Sequence, residues 1–420
     1  MDGFITYAYI DPGTGSMLFT LVIGLLSTGV FFMRSLGMKI KFALSGGKAA
    51  AKAQGDEKPD YVIFSDSKRY WNVFKPICDE FEKRGIDLVY YTASEDDPVL
   101  TAGYQHVKGE FIGTGNRAFA RLNLMKAKIC LSTTPGLDVL QWKRSKDVDY
   151  YVHVYHAMDE GLLYRMFGVD FYDAVLLTGE LQGDNIRKLE ALRHQAPKDI
   201  AVTGCTYMDA LKEKADKVQR KETDEKLILL APSWGESSIL NKYGEKLIDA
   251  LIKTGYMVVV RPHPQMATSD PELLAHLKKK YPDGEKFSWN ADNDNFDILS
   301  KADIMITDFS AISFDYSLVF DRPLIYADTH IDLAPYDAAW IDEPLWRFEV
   351  LPKLGVKLDE SQFEDMKQII DSVTNDDKYR QGRAEVKATI WQCMGQAAEK
   401  TVDYLVAKNA ELGGEKTDVE

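Results

Sequence analysis

Cysteine is scarce. The chain has four in 420 residues, Cys78, Cys130, Cys205 and Cys393. They are too few and too scattered for a disulfide framework, and they lack the close Cys/His spacing of a zinc site. No G-x-G-x-x-G fingerprint and no Walker motif is present. Phe111 to Asn116 (FIGTGN) has one G-x-G without the third glycine, which is weak ground for a dinucleotide. Asp292 to Asp297 (DNDNFD) lacks the glycine and terminal Glu of a calcium loop and reads as a solvated turn. Neither a metal nor a cofactor is therefore implied. Basic residues are outnumbered, 51 to 65, for a net charge of −14, which argues against a nucleic-acid partner. The chain is 45% hydrophobic, as in ordinary globular proteins, and long enough for two or three domains.

The charge is uneven. Residues 1–54 hold two acids and five bases, for +3, which leaves −17 on the rest. Met17 to Met33 (MLFTLVIGLLSTGVFFM) carries no charge. As a helix it rises about 26 Å, and extension to Met38 reaches the ~30 Å hydrocarbon thickness with Arg34 snorkelling. All five bases follow the apolar run and none precedes it. The expectation is a single-pass anchor over about 17–38 in the cytoplasmic membrane, N-terminus outside and catalytic body cytoplasmic. A cleaved signal peptide would need a basic leader. Residues 39–58 read as a basic linker favouring anionic head groups. The tail, 411–420, is expected to be disordered.

From Pro59 onward, strand and helix alternate. Tyr61 to Phe64, Ile86 to Tyr91, Lys128 to Ser132 and Tyr150 to Tyr155 read as strands. Val73 to Arg84 and Arg117 to Lys126 read as helices. The series restarts with strands at Lys226 to Ala231, Tyr256 to Val260, Asp303 to Thr307 and Pro323 to Tyr326, and helices at Gly244 to Lys253 and Pro271 to Lys280. Such alternation favours parallel sheets covered by helices. The expected class is α/β, with two Rossmann-like domains, about 59–205 and 206–410. The ligand cleft lies between them, and a last helical stretch from Arg383 to Asn409 crosses back.

Open sheets bind ligands beyond the carboxyl ends of their strands. Four sequences occupy such places in the second half: Pro232-Ser-Trp-Gly235, Arg261-Pro-His-Pro264, Asp308-Phe-Ser-Ala-Ile-Ser-Phe-Asp315 and Ala327-Asp328. Arg261 and His263, stiffened by prolines, suit an anion. Ser310 and Ala311 can open a helix whose free amides point at phosphate, and Asp315 lies where a carboxylate can bond a ribose hydroxyl. In the first half, His153 and His156 straddle a strand end, and a histidine facing a cleft can act as a general base. Each feature alone also reads as structure: a stiff turn, a helix N-cap at Asp308, a satisfied histidine.

Together they resemble the CDP-glycerol glycerophosphotransferase family, the membrane-associated polymerases and primases of teichoic acids and related capsule polymers. Ile306-Thr-Asp-Phe-Ser310 through Phe314-Asp315 to Arg322-Pro323 and Tyr326 is similar to the family's T-D-[YF]-S…F-D…[KR]-P…Y signature. Arg261-Pro-His-Pro264 is similar to its R-x-H-P element, and Leu227 to Trp234 to its A-P-[TS]-W element. Gly204 and Asp209 stand where it has G-x-P-R-x-D. This chain departs at Gly161, in place of the lysine of H-G-x-x-x-K, and at Thr206-Tyr207, in place of Pro-Arg.

The resemblance implies a GT-B architecture with a nucleotide donor held by the C-terminal domain. His156 and His263 would be catalytic. Arg261, Asp308, Ser310, Ala311, Asp315 and Ser233 would hold donor nucleotide and phosphate. The donor would be a CDP-linked polyol and the acceptor lipid-linked or polymeric. His156 would deprotonate the acceptor, and Arg261 and His263 would stabilise the departing phosphates. A nucleotide-sugar glycosyltransferase of GT-B fold, or a non-catalytic nucleotide-binding membrane scaffold, remains as an alternative.

Overall fold

The computed structural model describes residues 58–218, 225–292, 294–327, 329–374, 376 and 378–414. The expected membrane segment, the linker as far as residue 57, Asp328 and residues 415–420 lie outside them. Among the described residues, no helix is long and apolar enough to cross a membrane.

Two parallel sheets form the body. The first has seven strands: β1 Tyr61–Ser65, β2 Leu88–Thr92, β3 Val107–Phe111, β4 Ala127–Ser132, β5 Val148–Val154, β6 Ala174–Leu177 and β7 Asp199–Val202. Their order is β3-β2-β1-β4-β5-β6-β7. The second has six: β8 Leu227–Ala231, β9 Met257–Val260, β10 Phe287–Trp289, β11 Ile304–Thr307, β12 Leu324–Ala327 and β13 Gly355–Leu358. Their order is β10-β9-β8-β11-β12-β13. Parallel strands buried on both faces read as continuous apolar runs, and β1, β6, β11 and β12 are buried at every residue. The polar edge strands β3 and β7 lack such a run, so periodicity did not mark them.

Each sheet starts at its centre, builds to one edge and returns to the other side. This creates a crevice at the reversal, between β1 and β4 and between β8 and β11. The two reversals are stitched alike. Ser132 Oγ donates to Phe64 O (2.9 Å), and Thr307 Oγ1 donates to Ala231 O (2.6 Å). In both cases the bonded residues are register partners.

Gly204 and Asp209 hold the halves together. Gly204 has φ +94°, and a Cβ there would come within 2.9 Å of Gln392 O. Asp209 accepts from Trp391 Nε1 (2.9 Å) and Ala397 N (3.1 Å). The clamped segment leads into the helix Ala397–Gly414, whose Val402 and Leu405 complete the core of the first sheet. That helix runs through Glu411, where a disordered tail was expected. Lys408 pairs with Glu411 (2.7 Å), and Leu412 packs against the same core.

A strap after β12 crosses from the second sheet to the first. Asp337 N donates to Tyr164 O (2.9 Å) and Ala338 N to Leu162 O (2.9 Å). The buried Asp337 carboxylate accepts from Phe167 N (2.7 Å) and pairs with Arg193 (2.6 Å).

Candidate active site

The crevice of the second sheet opens into a cavity of about 340 Å³. Ser233, Gly235, His263, Ser310 and Ala311 line one wall. Leu163, the strap residues Ile331, Asp332, Pro335 and Tyr336, and Arg347 line the other side. A larger cavity, about 720 Å³, is lined by Leu227, Met257, Phe296 and Phe320. It begins where β8 and β9 start, the edge from which parallel sheets do not bind ligands.

One carboxylate organises the donor-side loops. Asp308 is fully buried, and accepts from Ser233 N (3.0 Å), Ser233 Oγ (2.8 Å), Ile239 N (2.8 Å) and Ser310 N (3.1 Å). Burial pushes its carboxyl up, and these donors pull it back. Asp308 was expected to meet the nucleotide; its oxygens are instead spent inside the protein. The Ser233 hydroxyl and the Ser310 amide are spent on it in turn, so both residues offer the cavity their remaining surface, and Ala311 lines it beside them.

Arg261 is also committed elsewhere. It is buried, donates to Asp292 O (2.8 Å) and bonds Asn290 Oδ1. It pins the loop after β10 and is not among the cavity-lining residues. The segment at Asp292 and Asp294, expected to be a solvated turn, is thus tied to Arg261 and to Lys214, which pairs with Asp294 (3.1 Å). No cluster able to hold a metal occurs among the described residues. Asp315 lies outside this cavity, at the start of a π-helical turn, Asp315–Val319. It accepts from Tyr207 Oη at 3.0 Å, and burial raises its pKa to about 7. Arg322 donates to Ser300 O (3.1 Å), capping the preceding helix.

His263 is half-buried. Its Nδ1 accepts from Gln265 N at 3.1 Å. That assigns the ring proton to Nε2, making it a donor. His156 is held through its other face. Its Nδ1 lies 2.8 Å from Thr133 Oγ1 and 3.4 Å from Tyr164 Oη. Either hydroxyl can accept a proton carried on Nδ1, the tautomer that leaves Nε2 bare. The Tyr70 ring lies tilted against it, 4.7 Å between centroids and 54° between planes. Burial lowers both histidines to about 4, so both are neutral at pH 7. His153, expected to share this role, is fully buried against Tyr164 (3.2 Å).

The two histidines come from strand ends of different sheets; His263 lines the cavity, and His156 is not among its lining residues. Residues 183–407 match the family described as CDP-Glycerol:Poly(glycerophosphate) glycerophosphotransferase, more than half of the chain. The chain belongs to that family. It is a CDP-glycerol glycerophosphotransferase-like transferase. No curated protein sequence matches it. Among solved structures, a wall teichoic acid polymerase TagF soaked with CDPG aligns with TM-score 0.57 and 16% identity, over 91% of this chain and 98% of that one. The UDP-GlcNAc 2-epimerase of Methanocaldococcus jannaschii aligns with TM-score 0.53 and 14% identity, over 83% and 99%. These likenesses establish the α/β GT-B-like fold.

The glycerophosphotransferase site includes residues that the sequence did not flag. Thr133 and Tyr164 hold the His156 ring through Nδ1. Arg347 Nε pairs with Glu160 Oε1 (2.7 Å) and its Nη1 donates to Phe309 O (2.7 Å). This joins the segment after His156 to the donor loops. Arg347 sits within the helix Trp346–Leu354 with no motif around it, so only tertiary packing reveals it.

Proposed function

We propose that this chain transfers glycerol phosphate from CDP-glycerol to a hydroxyl of a lipid-linked or polymeric acceptor, in the synthesis of a teichoic-acid-type surface polymer. The family match across the donor half carries this reading, and the paired histidines support it. His156 Nε2 takes the proton of the acceptor hydroxyl. The oxygen attacks the phosphorus that bears glycerol, and the bond from that phosphorus to the CMP oxygen breaks. His263 Nε2–H donates to an oxygen of the departing CMP, and the proton remains on His156 until solvent removes it. The apolar stretch Met17 to Met33 tethers the enzyme to the membrane that carries its acceptor, raising their effective concentration.

The test is CMP release by the full chain from CDP-glycerol, with glycerol phosphate oligomers as acceptor, beside CDP-ribitol and UDP-sugars. Acceptor-dependent CMP release is expected. Consumption of a UDP-sugar alone would assign a glycosyltransferase, and donor binding without turnover would assign a scaffold. Protease accessibility of the two ends in sealed vesicles tests the topology; cleavage of the body from the outer face would refute it.

A further inference from the structure

A diphosphate brings negative charge into the site, and such charge needs a cation. The charges of the two arginines nearest the donor loops are already matched. Arg261 is spent on Asn290 and Asp292, and Arg347, which lines the cavity, faces two carboxylates, Glu160 (2.7 Å) and Asp159 (3.4 Å). Glu236 and Asp332 on the cavity wall add negative charge.

Across the cleft, the loop after β1 lies at the reversal of the first sheet, where a ligand is expected to approach. Ser67 caps the short helical turn Lys68–Tyr70 there. Lys68 fixes the turn from outside, through its N–H to Ser94 Oγ (2.9 Å) and its ammonium to Asp96. Arg69 Nε donates to Ser67 Oγ at 3.2 Å, which aims the guanidinium and leaves both Nη groups without a partner among the described residues. The next residue, Tyr70, is the ring packed against His156. The Arg69 charge acts on His156 and also on His263, on the other side of the cleft. A braced, solvent-facing guanidinium within electrostatic reach of both histidines is a fork suited to phosphate.

We propose, building on the reading of the donor as CDP-glycerol, that Arg69 binds the transferring phosphoryl group from the first-sheet side of the cleft, opposite His263. Arg69 then compensates charge that the second half leaves unpaired.

The test measures the affinity of the full chain for CDP and for cytidine by calorimetry, in wild type, Arg69→Gln and Arg69→Lys. Arg69→Gln is expected to weaken CDP by about tenfold or more and to leave cytidine within about twofold. Arg69→Lys, which keeps the charge but loses the fork, recovers part of the loss. CMP release falls in parallel, and the acid limb of kcat/KM rises above about 4 as a cation leaves the histidines, while burial still holds both below the ordinary imidazole value. The other groups facing them stay in place: Thr133, Tyr70, Tyr164 and His153 around His156, Trp234 and Arg261 beside His263, and Asp66 beside Arg69. Unchanged CDP affinity, or equal losses for CDP and cytidine, would overturn the proposal. A wild type that binds CDP yet releases no CMP from CDP-glycerol would sink the functional reading instead, and the CDP-to-cytidine comparison would still decide Arg69.

Discussion

The two sheets share one topology and build their share of the site by different chemistry. In each, a hydroxyl at the end of one strand stitches the central crevice, Ser132 in the first and Thr307 in the second. The next residue then decides what the crevice can do. In the second sheet it is Asp308, a buried carboxylate that draws in backbone amides and fixes the donor loops. In the first it is Thr133, a neutral hydroxyl that turns one histidine among aromatic rings. A carboxylate beside His156 would hold the imidazolium form; a hydroxyl leaves burial in control and the ring neutral. The same scaffold thus supplies a rigid cradle on one side and a base on the other.

That contrast can be broken from either side. The largest effect is expected at His156. Replacing it by Ala should lower CMP release by about a hundredfold or more, with little change in thermal unfolding, since the ring is only half-buried. Wild-type turnover in this variant would remove the base from the account. Asp308→Ala should act on the cradle and on folding together. It strands several buried donors and should cost about 3 kcal/mol or more in chemical denaturation, with loss of CDP binding. A stable Asp308→Ala protein with normal CDP affinity would show that the loops hold themselves.

Gly204→Ala tests the clamp between the halves. The left-handed backbone and the contact with Gln392 O should cost about 1–3 kcal/mol, read as a lower Tm. Asp315→Asn should have the smallest effect and a definite sign. Between pH 4 and 7 the folded carboxyl stays protonated while the unfolded one ionises, because its pKa is raised to about 7. Wild-type stability therefore falls across that window. The Asn variant, still able to accept from Tyr207, should gain Tm relative to wild type as pH rises from 4 to 7, and no further above it. A constant difference in Tm would mean that burial does not perturb Asp315.

Much of the second half was legible because its chemistry sits in short segments. Buried parallel strands are apolar runs, and the polar residues ending them stand out. The roles were harder to read. Arg261 looked like a phosphate ligand because Asn290, its partner, lies 29 residues away. Asp308 looked like a ligand because nothing local shows that four protein donors converge on it. The first half was less legible, since Arg69, Thr133, and His156 with Tyr164 come from three loops, after β1, β4 and β5, and meet only after the strands pair. The strap that lines the cavity carries no apolar period, and its docking rests on Asp337 meeting Arg193 and two backbone amides.

The central claim is that one histidine from each half acts on the same transfer, in opposite tautomers. The direct measurement is CMP release from CDP-glycerol by wild type, His156→Ala, His263→Ala and the double variant, under saturating acceptor. Residues that act as a unit are strongly non-additive. Each single variant should lose about a hundredfold or more, and the double should be scarcely slower than either. Fully multiplicative losses, or near-normal turnover in one single variant, would contradict the account.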